Sequence, residues 1–517
     1  DWVVEYLRGD DSHEMRKGGA LRNRNSRLGD IVHSSPVFVS YADKTKNTVY
    51  VGANDGMLHA FNANDGTERF AYIPSQFLTN GLKSLSDPNY VHRYFVDGQI
   101  AVSTSAQTAA KNLLVAAMGA GGKGLFGLDV TDPSAFTSAN VKWESASDTD
   151  MGFVLGKLFI AKLNNGQWGV ITGNGYNSAN EQSALFVYDL ETGNLIKKIN
   201  TGKGSAGATN GLTTPKGVDA DKNGTVDYIY AGDLHGYMWK FDVSSAAPAG
   251  WSSTQLFQAK DANGKPQPIT GGVAIATNPY EGPFKGMRYI MFGTGQYFNA
   301  TDAVNKDVQT WYGLIDNPST TPINGRSELA QRTITTVATS NGYKVRAFSK
   351  AVAGDMTGKK GWYVDLVVQG KANTGERIVS DSSMDAGLDQ YGKPMPVLRA
   401  SSIVLENSNP CKPSGTGYFN VIDPFTGGSL TAAYIDINKD GVRDAQDLID
   451  PNNPDSLPIA SVGFDGLPSE ALDIGNKLFF DLGDGRGPGD PNDPNNKNLE
   501  AFKYSLTGLQ TWHEIKN

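Results

Sequence analysis

Residues 47–70 read NTVYVGANDGMLHAFNANDGTERF, and this stretch decides the fold. Val49–Val51 predicts a strand, Asn54–Gly56 predicts a tight hairpin turn, and Met57–Asn62 predicts the return strand. A second turn follows at Asn64–Gly66. Strands that alternate with short glycine turns in this order are typical of one blade of a β-propeller.

The same unit returns along the chain as apolar stretches that end in Asp or Asn, followed by a glycine turn. The predicted units are Leu113–Ala117 with Gly124–Asp129, Trp168–Thr172 with Ser183–Leu190, Asp227–Gly232 with Gly236–Val243, Tyr289–Gly293 with Trp311–Ile315, and Gly417–Thr426. A twisted four-stranded sheet cannot bury both faces alone, whereas sheets stacked around an axis do so. We therefore predict an all-β, modified β-propeller that is irregular, seven-bladed and interrupted by long insertions. A β-sandwich or a pair of β-domains remains the alternative.

Two regions flank or interrupt this pattern. Residues 1–30 are predicted to form a leader of helix and loop, which is the end of a preceding region. Residues 31–517 are predicted to form the propeller domain, which includes an acidic, loop-rich tail at about 430–498. Within the propeller, Glu328–Arg332 predicts a short helix, and Gly361–Val368 predicts a hairpin with Gln369–Ser380.

Composition excludes several classes of protein. The net charge of −8 argues against a general nucleic-acid surface. A single cysteine, Cys411, rules out an internal disulfide framework. No apolar run approaches the roughly 20 residues that span a membrane, so we expect no transmembrane segment. The chain opens on DWVVEYLRGDD without a signal peptide, and we expect it to be part of a longer protein.

The stretch DADKNGTVD predicts a calcium loop. Its oxygen-bearing side chains are those of Asp219, Asp221, Asn223 and Asp227, and Thr225 is placed to offer its backbone carbonyl. This spacing matches the first nine positions of D-x-D-x-[DN]-G-x-x-D, with a glycine at the sixth that allows the chain to reverse. Ca²⁺ requires six to eight oxygens at roughly 2.3–2.6 Å, which alternate side chains of a tight turn supply. The flanks read as strands, and an acidic turn without metal is the alternative.

A second stretch, DINKDGVRD, has the same pattern. Its candidate ligands are Asp436, Asn438, Asp440, Val442 by its carbonyl, and Asp444. Asp447 occupies the twelfth place, and Ala445–Ile449 predicts a helical turn. An acidic turn is again the alternative.

Other motifs are shorter. Arg8-Gly9-Asp10 spells RGD, a tripeptide that can bridge to an integrin on an exposed turn; the alternative is a helix C-terminus with Gly9 as its cap. His33, His59 and His235 lie within or beside strands and are interpreted as packing or turn residues.

Two resemblances follow from these motifs. The blade VYVGANDGMLHAFNANDGTE resembles the repeat of pyrroloquinoline-quinone-type β-propellers. RLGDIVHSSPVFV, followed by that blade and later by GTGYFNVIDPFTGG, resembles the C-terminal domain of the PilY family of type IV pilus biogenesis factors and tip-associated adhesins. This resemblance implies a modified propeller with one Ca²⁺ on the loop at residues 219–227. It also implies an exported, pilus-associated protein at the outer membrane or cell surface. Its partners would be pilins and minor pilins, and its roles pilus extension and retraction, twitching motility, adhesion and virulence.

Three functions stay open on the sequence. The first is a non-enzymatic pilus factor in which calcium occupancy acts as a switch. The second is an adhesive or scaffold propeller with purely structural calcium. The third is a quinoprotein dehydrogenase, which the single cysteine argues against, because the resembling enzymes have an adjacent pair of cysteines in the cofactor pocket.

Overall fold

The computed structural model describes residues 2–317, 319, 322–406, 414–483 and 499–503. Cys411, the residues 484–498 of the predicted tail and the C-terminal stretch from residue 504 lie outside this range. Its described residues include three short α-helices: α1 (Trp2–Leu7), α2 (Ser75–Thr79) and α3 (Ala300–Val304). The rest is strand, turn and short 3₁₀ helix, so the predicted all-β class is confirmed.

Contacts divide the described chain into two compact units. Unit 1 contains residues 2–229 and 242–253, and unit 2 contains residues 230–241 and the described residues from 254 onward. The boundary predicted near residue 30 stays a prediction.

Unit 1 contains three four-stranded antiparallel sheets, each built from consecutive strands. The first comprises β1 (Val37–Val39), β2 (Thr48–Gly52), β3 (Leu58–Asn62) and β4 (Glu68–Tyr72). The second comprises β5 (Ile100–Val102), β6 (Leu113–Ala117), β7 (Leu125–Asp129) and β8 (Val141–Glu144). The third comprises β9 (Phe159–Lys162), β10 (Trp168–Gly173), β11 (Ala184–Asp189) and β12 (Leu195–Asn200). The hairpins predicted from residues 47–70, 113–129 and 168–190 are confirmed.

The burial pattern explains why the inner strands read as continuous apolar runs. Every residue of β6 is buried, as are the first five of β11, because both faces of these strands are covered. The outer strands β4 and β12 are more exposed and carry Lys, Arg and Glu. β6 and β11 are central strands of their sheets, whereas β4 and β12 are edge strands. Charged residues on an edge strand prevent it from pairing with another chain, as a blade requires.

A fourth sheet has the order β13 (Lys216–Val218), β14 (Tyr228–Gly232), β15 (Tyr237–Asp242) and β16 (Ser252–Gln258). The first candidate calcium loop connects β13 to β14.

Unit 2 contains a ten-stranded sheet and a smaller one. The ten strands, in spatial order, are β17 (Ala274–Thr277), β18 (Arg288–Gly293), β19 (Thr310–Asp316), β22 (Gly361–Val368), β20 (Ala330–Ser340), β21 (Tyr343–Phe348), β27 (Ser461–Phe464), β25 (Gly415–Ile422), β24 (Pro394–Leu405) and β23 (Ser383–Leu388). The smaller sheet has the order β26 (Ile435–Asp436), β30 (Leu499–Ala501), β29 (Lys477–Phe479) and β28 (Leu472–Ile474). The predicted count of seven blades stays a prediction.

Two local predictions in unit 2 are wrong. A 3₁₀ turn at Arg326–Glu328 leads into β20, so the helix expected at Glu328–Arg332 is mostly strand. β22 pairs antiparallel with β19 and parallel with β20, not with the chain that follows it. Arg377 of that following chain instead forms an isolated bridge with Ile403.

One packing arrangement occurs in both units. In unit 1 the indole of Trp143 lies opposite Gly127 and donates a 3.0 Å hydrogen bond to the carbonyl of Leu190, at the start of the turn that contains Gly193. In unit 2 the indole of Trp362 lies opposite Gly313 and donates a 2.9 Å bond to Pro424, before the turn glycine Gly427. Side chains at these four glycines would overlap the indoles, since a Cβ at any of them would lie 2.3–2.4 Å from the nearest ring atom. Each tryptophan therefore holds two strands and the next turn together.

His59 is buried in β3, in agreement with its interpretation as a packing residue. Its Nδ1 lies 2.5 Å from Glu68 Oε1, and its Nε2 lies 3.0 Å from Asp55 Oδ2. Burial lowers the pKa of His59, but the hydrogen bonds and charges of the two carboxylates outweigh it and raise the pKa above the ordinary value.

This shift predicts a pH-dependent stability. A raised folded-state pKa contributes stability that is fully present below the ordinary value near 6.5 and is lost as the pH rises through the folded-state pKa. Urea unfolding of the wild-type chain should therefore show a free energy that falls as the pH rises above 6.5, and His59→Gln should remove that part of the decline. His92→Gln, at an exposed pair with Asp30, is the control. An identical pH profile in His59→Gln and the wild type would contradict the assignment.

Candidate metal centre

The loop at residues 219–227 is fixed at its C-terminal end by backbone contacts. The amide of Asp227 donates to the carbonyl of Val218 at 2.9 Å, which closes the loop on itself. The amide of Val226 donates to the carbonyl of Lys162 at 2.9 Å, and Val226 forms a parallel bridge with Leu163. The exit of the loop is therefore joined to the hairpin between β9 and β10.

Three carboxylates converge inside the loop. Asp219, Asp221 and Asp227 each offer one oxygen, and these oxygens lie within 4.8 Å of one another. Within the described part of the chain this is the only group of three or more His, Cys, Asp or Glu side chains that meets this spacing. Asp227 is buried, Asp219 is half-buried and Asp221 is exposed, so the group opens from the core towards solvent.

Backbone amides hold these carboxylates in place. Gly224 donates to Asp219 Oδ2 at 2.7 Å, and Ala220 donates to Asp227 Oδ2 at 2.7 Å. Gly224 has a φ of +87°, the left-handed conformation that the sequence pattern predicts for the sixth position. The chain reversal and these two amides therefore hold the carboxylates of Asp219 and Asp227 in the loop.

The other two predicted ligands lie in the exposed half of the loop. Asn223 is exposed, and its Oδ1 accepts a 2.8 Å hydrogen bond from the amide of Thr225. The hydroxyl of Thr225 also donates to Asn223 Oδ1. Coordination by the Thr225 carbonyl stays a prediction.

Sequence reasoning missed Asn164, which lies in the turn between β9 and β10. Its Nδ2 donates to the Val226 carbonyl at 2.8 Å and reaches Asp227 Oδ1 at 3.3 Å. Its Oδ1 accepts a 2.8 Å bond from the Thr225 hydroxyl. Asn164 therefore orients the last ligand of the loop from a different sheet. A turn sequence such as LNNG carries no signal of that role.

The second loop has a different geometry. It follows β26, and the predicted helical turn is present as a 3₁₀ helix at Ala445–Asp447. No three of its carboxylates, all of which the structure describes, reach the mutual spacing found in the first loop. The metal assignment at Asp436, Asn438, Asp440, Val442 and Asp444 stays a prediction.

The RGD tripeptide directly follows α1. Gly9 has a φ of +102° and donates to the Tyr6 carbonyl, and Asp10 donates to the Glu5 carbonyl, so the residues cap the helix. The side chain of Arg8 is 72% exposed and lies 3.2 Å from Glu5. The cap is compatible with both interpretations of the motif, and receptor binding stays a prediction.

Comparison with known proteins identifies the fold family. The family model of the PilY1 beta-propeller domain matches residues 27–341. The chain belongs to this family. The β-propeller class predicted from the glycine-turn repeat is thereby confirmed, and so is the resemblance to PilY proteins.

Individual relatives agree with this assignment. A type IV pilus biogenesis factor PilY1 homolog of Xylella fastidiosa is 36% identical over 93% of this chain and 39% of its own length. Type IV pilus biogenesis factor PilY1 of Pseudomonas aeruginosa strain PAK is 34% identical over 86% of this chain and 42% of its own. This chain thus spans about two fifths of each of these PilY1 relatives.

A solved structure covers nearly the same extent. The crystal structure of the Pseudomonas aeruginosa PilY1 C-terminal domain matches with a TM-score of 0.68 and 28% identity, over 88% of this chain and 92% of that one. In the described residues, the helices are all too short or too polar to cross a membrane.

Proposed function

We propose that this chain is the propeller part of a non-enzymatic type IV pilus biogenesis factor that binds Ca²⁺ at residues 219–227. Membership of the PilY1 family supports the pilus role, because the related full-length proteins bear that function in their names. The observation that carries the calcium site is the convergence of three carboxylate oxygens within 4.8 Å.

The donor set fits calcium rather than a softer metal. Asp219, Asp221 and Asp227 supply carboxylate oxygens, Asn223 an amide oxygen and Thr225 a carbonyl, and these hard oxygen donors suit Ca²⁺. Three carboxylates at this spacing repel one another, and a divalent cation relieves that repulsion. The loop lacks the bidentate Glu of a helix–loop–helix site, so we expect an affinity of roughly micromolar or weaker.

The backbone contacts of the loop indicate which of its residues calcium binding orders. Val226 and Asp227 are buried and joined to neighbouring backbone, whereas residues 220–224 are exposed. Binding therefore orders the exposed tip against a fixed base. A partner that binds the ordered tip more tightly therefore responds to the calcium concentration. The free energy that couples calcium binding to partner binding is no larger than the difference in the partner's affinity for the ordered and unordered tip.

The partners follow from the pilus role. We propose pilins and minor pilins as the components that the propeller contacts, with an exported protein at the pilus or cell surface that regulates extension, retraction and twitching motility. Adhesion is a further part of the proposal: the exposed Arg8 and Asp10 on the Gly9 turn are accessible to a host receptor such as an integrin.

Calcium titration of the intact chain by calorimetry tests the site. Asp227→Asn and Asp221→Asn remove one ligand charge each, and we expect at least a tenfold weaker affinity at this loop. Asp65→Asn is the matched control, because Asp65 caps an exposed turn through Thr67 with the same charge but does not belong to a group of three converging carboxylates. Unchanged affinity in both loop variants would overturn the site.

Assays in the producing bacterium separate a switch from a structural ion. If calcium acts as a switch, Asp221→Asn changes surface piliation and twitching although its melting temperature in calcium and its amount at the surface stay close to those of the wild type. If the ion is purely structural, its loss in Asp221→Asn lowers the melting temperature measured in calcium, and pili change only through lost protein. Wild-type piliation and twitching in a chain that has lost calcium binding would refute the switch.

A further inference from the structure

The loop from Asp436 to Asp447 holds two buried oxygens that the protein leaves without partners. Asp436 is 2% exposed, and its Oδ1 has no hydrogen-bond partner among the described residues. Oδ1 of Asn438 is also buried and lacks a partner there. Buried acceptors are nearly always satisfied, because leaving one without a partner costs the free energy of its lost hydration. Two such oxygens in one turn point to a group that the protein atoms do not supply.

The two oxygens occupy informative positions. Counted from Asp436, they belong to the first and third places of a twelve-residue calcium loop, DINKDGVRDAQD. The first and third side chains of such a loop coordinate the ion directly. A turn held only by its own hydrogen bonds has no reason to leave these two oxygens unpaired.

The backbone of this loop has the same central bond as the first loop. The amide of Gly441, in the sixth place, donates to Asp436 Oδ2 at 2.8 Å. The corresponding bond from Gly224 to Asp219 Oδ2 measures 2.7 Å. Gly441 has a φ of +76°, close to the +87° of Gly224. The bond holds the Asp436 carboxylate at the loop through Oδ2 alone and leaves Oδ1 available for another partner.

The twelfth place of the second loop holds a carboxylate, Asp447, whereas the twelfth place of the first loop is Tyr230. Asp447 is fully buried, and its carboxylate accepts hydrogen bonds from the amides of Ile437 at 3.1 Å and Asp444 at 3.3 Å. Asp436 of the same loop is buried as well, so two carboxylates of this loop lie at buried positions where a cation would stabilise them.

One cation is already near this charge. Lys439 is half-buried, and the charges of Glu500 and Asp436 both act on it. Its ammonium nevertheless leaves Oδ1 of Asp436 without a hydrogen bond. Lys439 therefore neutralises part of the charge of this region but does not fill the position that the two free oxygens define.

We propose that this loop is a second Ca²⁺ site, independent of the first and located in unit 2. Its ligands are the side chains of Asp436, Asn438, Asp440 and Asp447, the carbonyl of Val442, and Asp444 directly or through water. Asp436 ends β26 and Asp447 ends a 3₁₀ helix, so the ion joins these two elements. Small closure of the exposed side, where Asp440 and Asp444 lie, brings the remaining carboxylates to the ion.

Counting ions tests the proposal on the intact chain. After chelation and dialysis against Ca²⁺ at a concentration well above both dissociation constants, elemental analysis of the protein against its dialysate should give two ions per wild-type chain. Asp227→Asn should remove the first site, Asp436→Asn the second, and the double variant both. For Asp440→Asn, at an exposed ligand whose change leaves the core intact, calorimetry should show at least a tenfold weaker second event. Asp455→Asn, an exposed acid beyond the loop, is the matched control and should retain both ions.

These variants test the two site assignments independently of each other. If Asp436→Asn and Asp440→Asn keep the wild-type ion count and affinities, the second site is refuted whatever the first loop does. If Asp227→Asn alone abolishes all binding, the second site is equally refuted. If only the variants of the second loop lose an ion, the second site stands and the first is refuted.

Discussion

Arg346→Met should lower the free energy of unfolding of unit 2 by about 3–5 kcal/mol, because it leaves the carboxylate of Glu376 buried and without its counter-ion. Both side chains are almost fully buried, at 1% and 3% exposure. The guanidinium makes two parallel bonds to Glu376, of 2.7 and 2.8 Å, a geometry that lysine cannot reproduce. Urea unfolding followed by the fluorescence of buried tryptophans measures the change.

The pair belongs to a larger polar network that enlarges the expected effect. Arg346 also donates to Asn420 Oδ1 at 2.9 Å and to Ser461 Oγ at 3.0 Å, and Ser402 donates to Glu376 at 2.6 Å. The guanidinium lies over the ring of Tyr418, 3.5 Å from its centroid. Glu376 lies in the segment between β22 and β23, and the other residues come from β21, β24, β25 and β27, so the network fixes how four strands of one sheet meet. Its removal leaves several buried polar groups unsatisfied at once.

A double variant separates the loss of the pair from the penalty of an orphaned charge. Arg346→Met with Glu376→Leu should destabilise by clearly less than the sum of the single changes, because no buried charge then remains. The exposed pair of Arg8 and Glu5 is the control, and Arg8→Met should change stability by only about 0–1 kcal/mol. A loss below about 1 kcal/mol for Arg346→Met would contradict the assigned role.

Local patterns in the sequence were sufficient for unit 1 and insufficient for part of unit 2. The blade at residues 47–70 pairs each strand with its neighbour in the chain, so turn residues and apolar alternation determine it. β22 instead pairs in parallel with β20. Parallel strands are not joined by a tight turn, so no turn sequence predicts this pairing. The stretch Glu328–Arg332, whose last three residues begin β20, also fits a short helix when read alone, and its neighbours in the sheet decide for strand.

The candidate metal centre shows the same division. The ligand spacing and Gly224 of the first loop are local and were predictable. Asn164 contacts the loop from 61 residues away, and only the three-dimensional structure brings the two together. In the second loop the sequence supplied the pattern, but the burial that leaves Asp436 and Asn438 with free oxygens is a property of the fold.

Trp362→Ala should destabilise unit 2 by about 3–5 kcal/mol, the loss expected when a large buried aromatic side chain is removed. The indole is fully buried, and its place against two glycines leaves no side chain at those two positions to fill the cavity. The hydrogen bond to the Pro424 carbonyl is lost as well. Urea unfolding measures the effect, with Trp2→Ala as the control, since Trp2 is 65% exposed.

Substitution on the glycine side tests whether the contact with Trp362 is the cause. Gly427→Ala places a Cβ 2.3 Å from the indole and also strains a φ of +70°, so we expect it to destabilise the wild-type chain. In the Trp362→Ala background the overlap is gone, and only the strain of about 1 kcal/mol should remain. Equal losses in the two backgrounds would show that the turn conformation alone requires glycine. A smaller loss with the tryptophan removed establishes that the indole and the turn are built to fit each other.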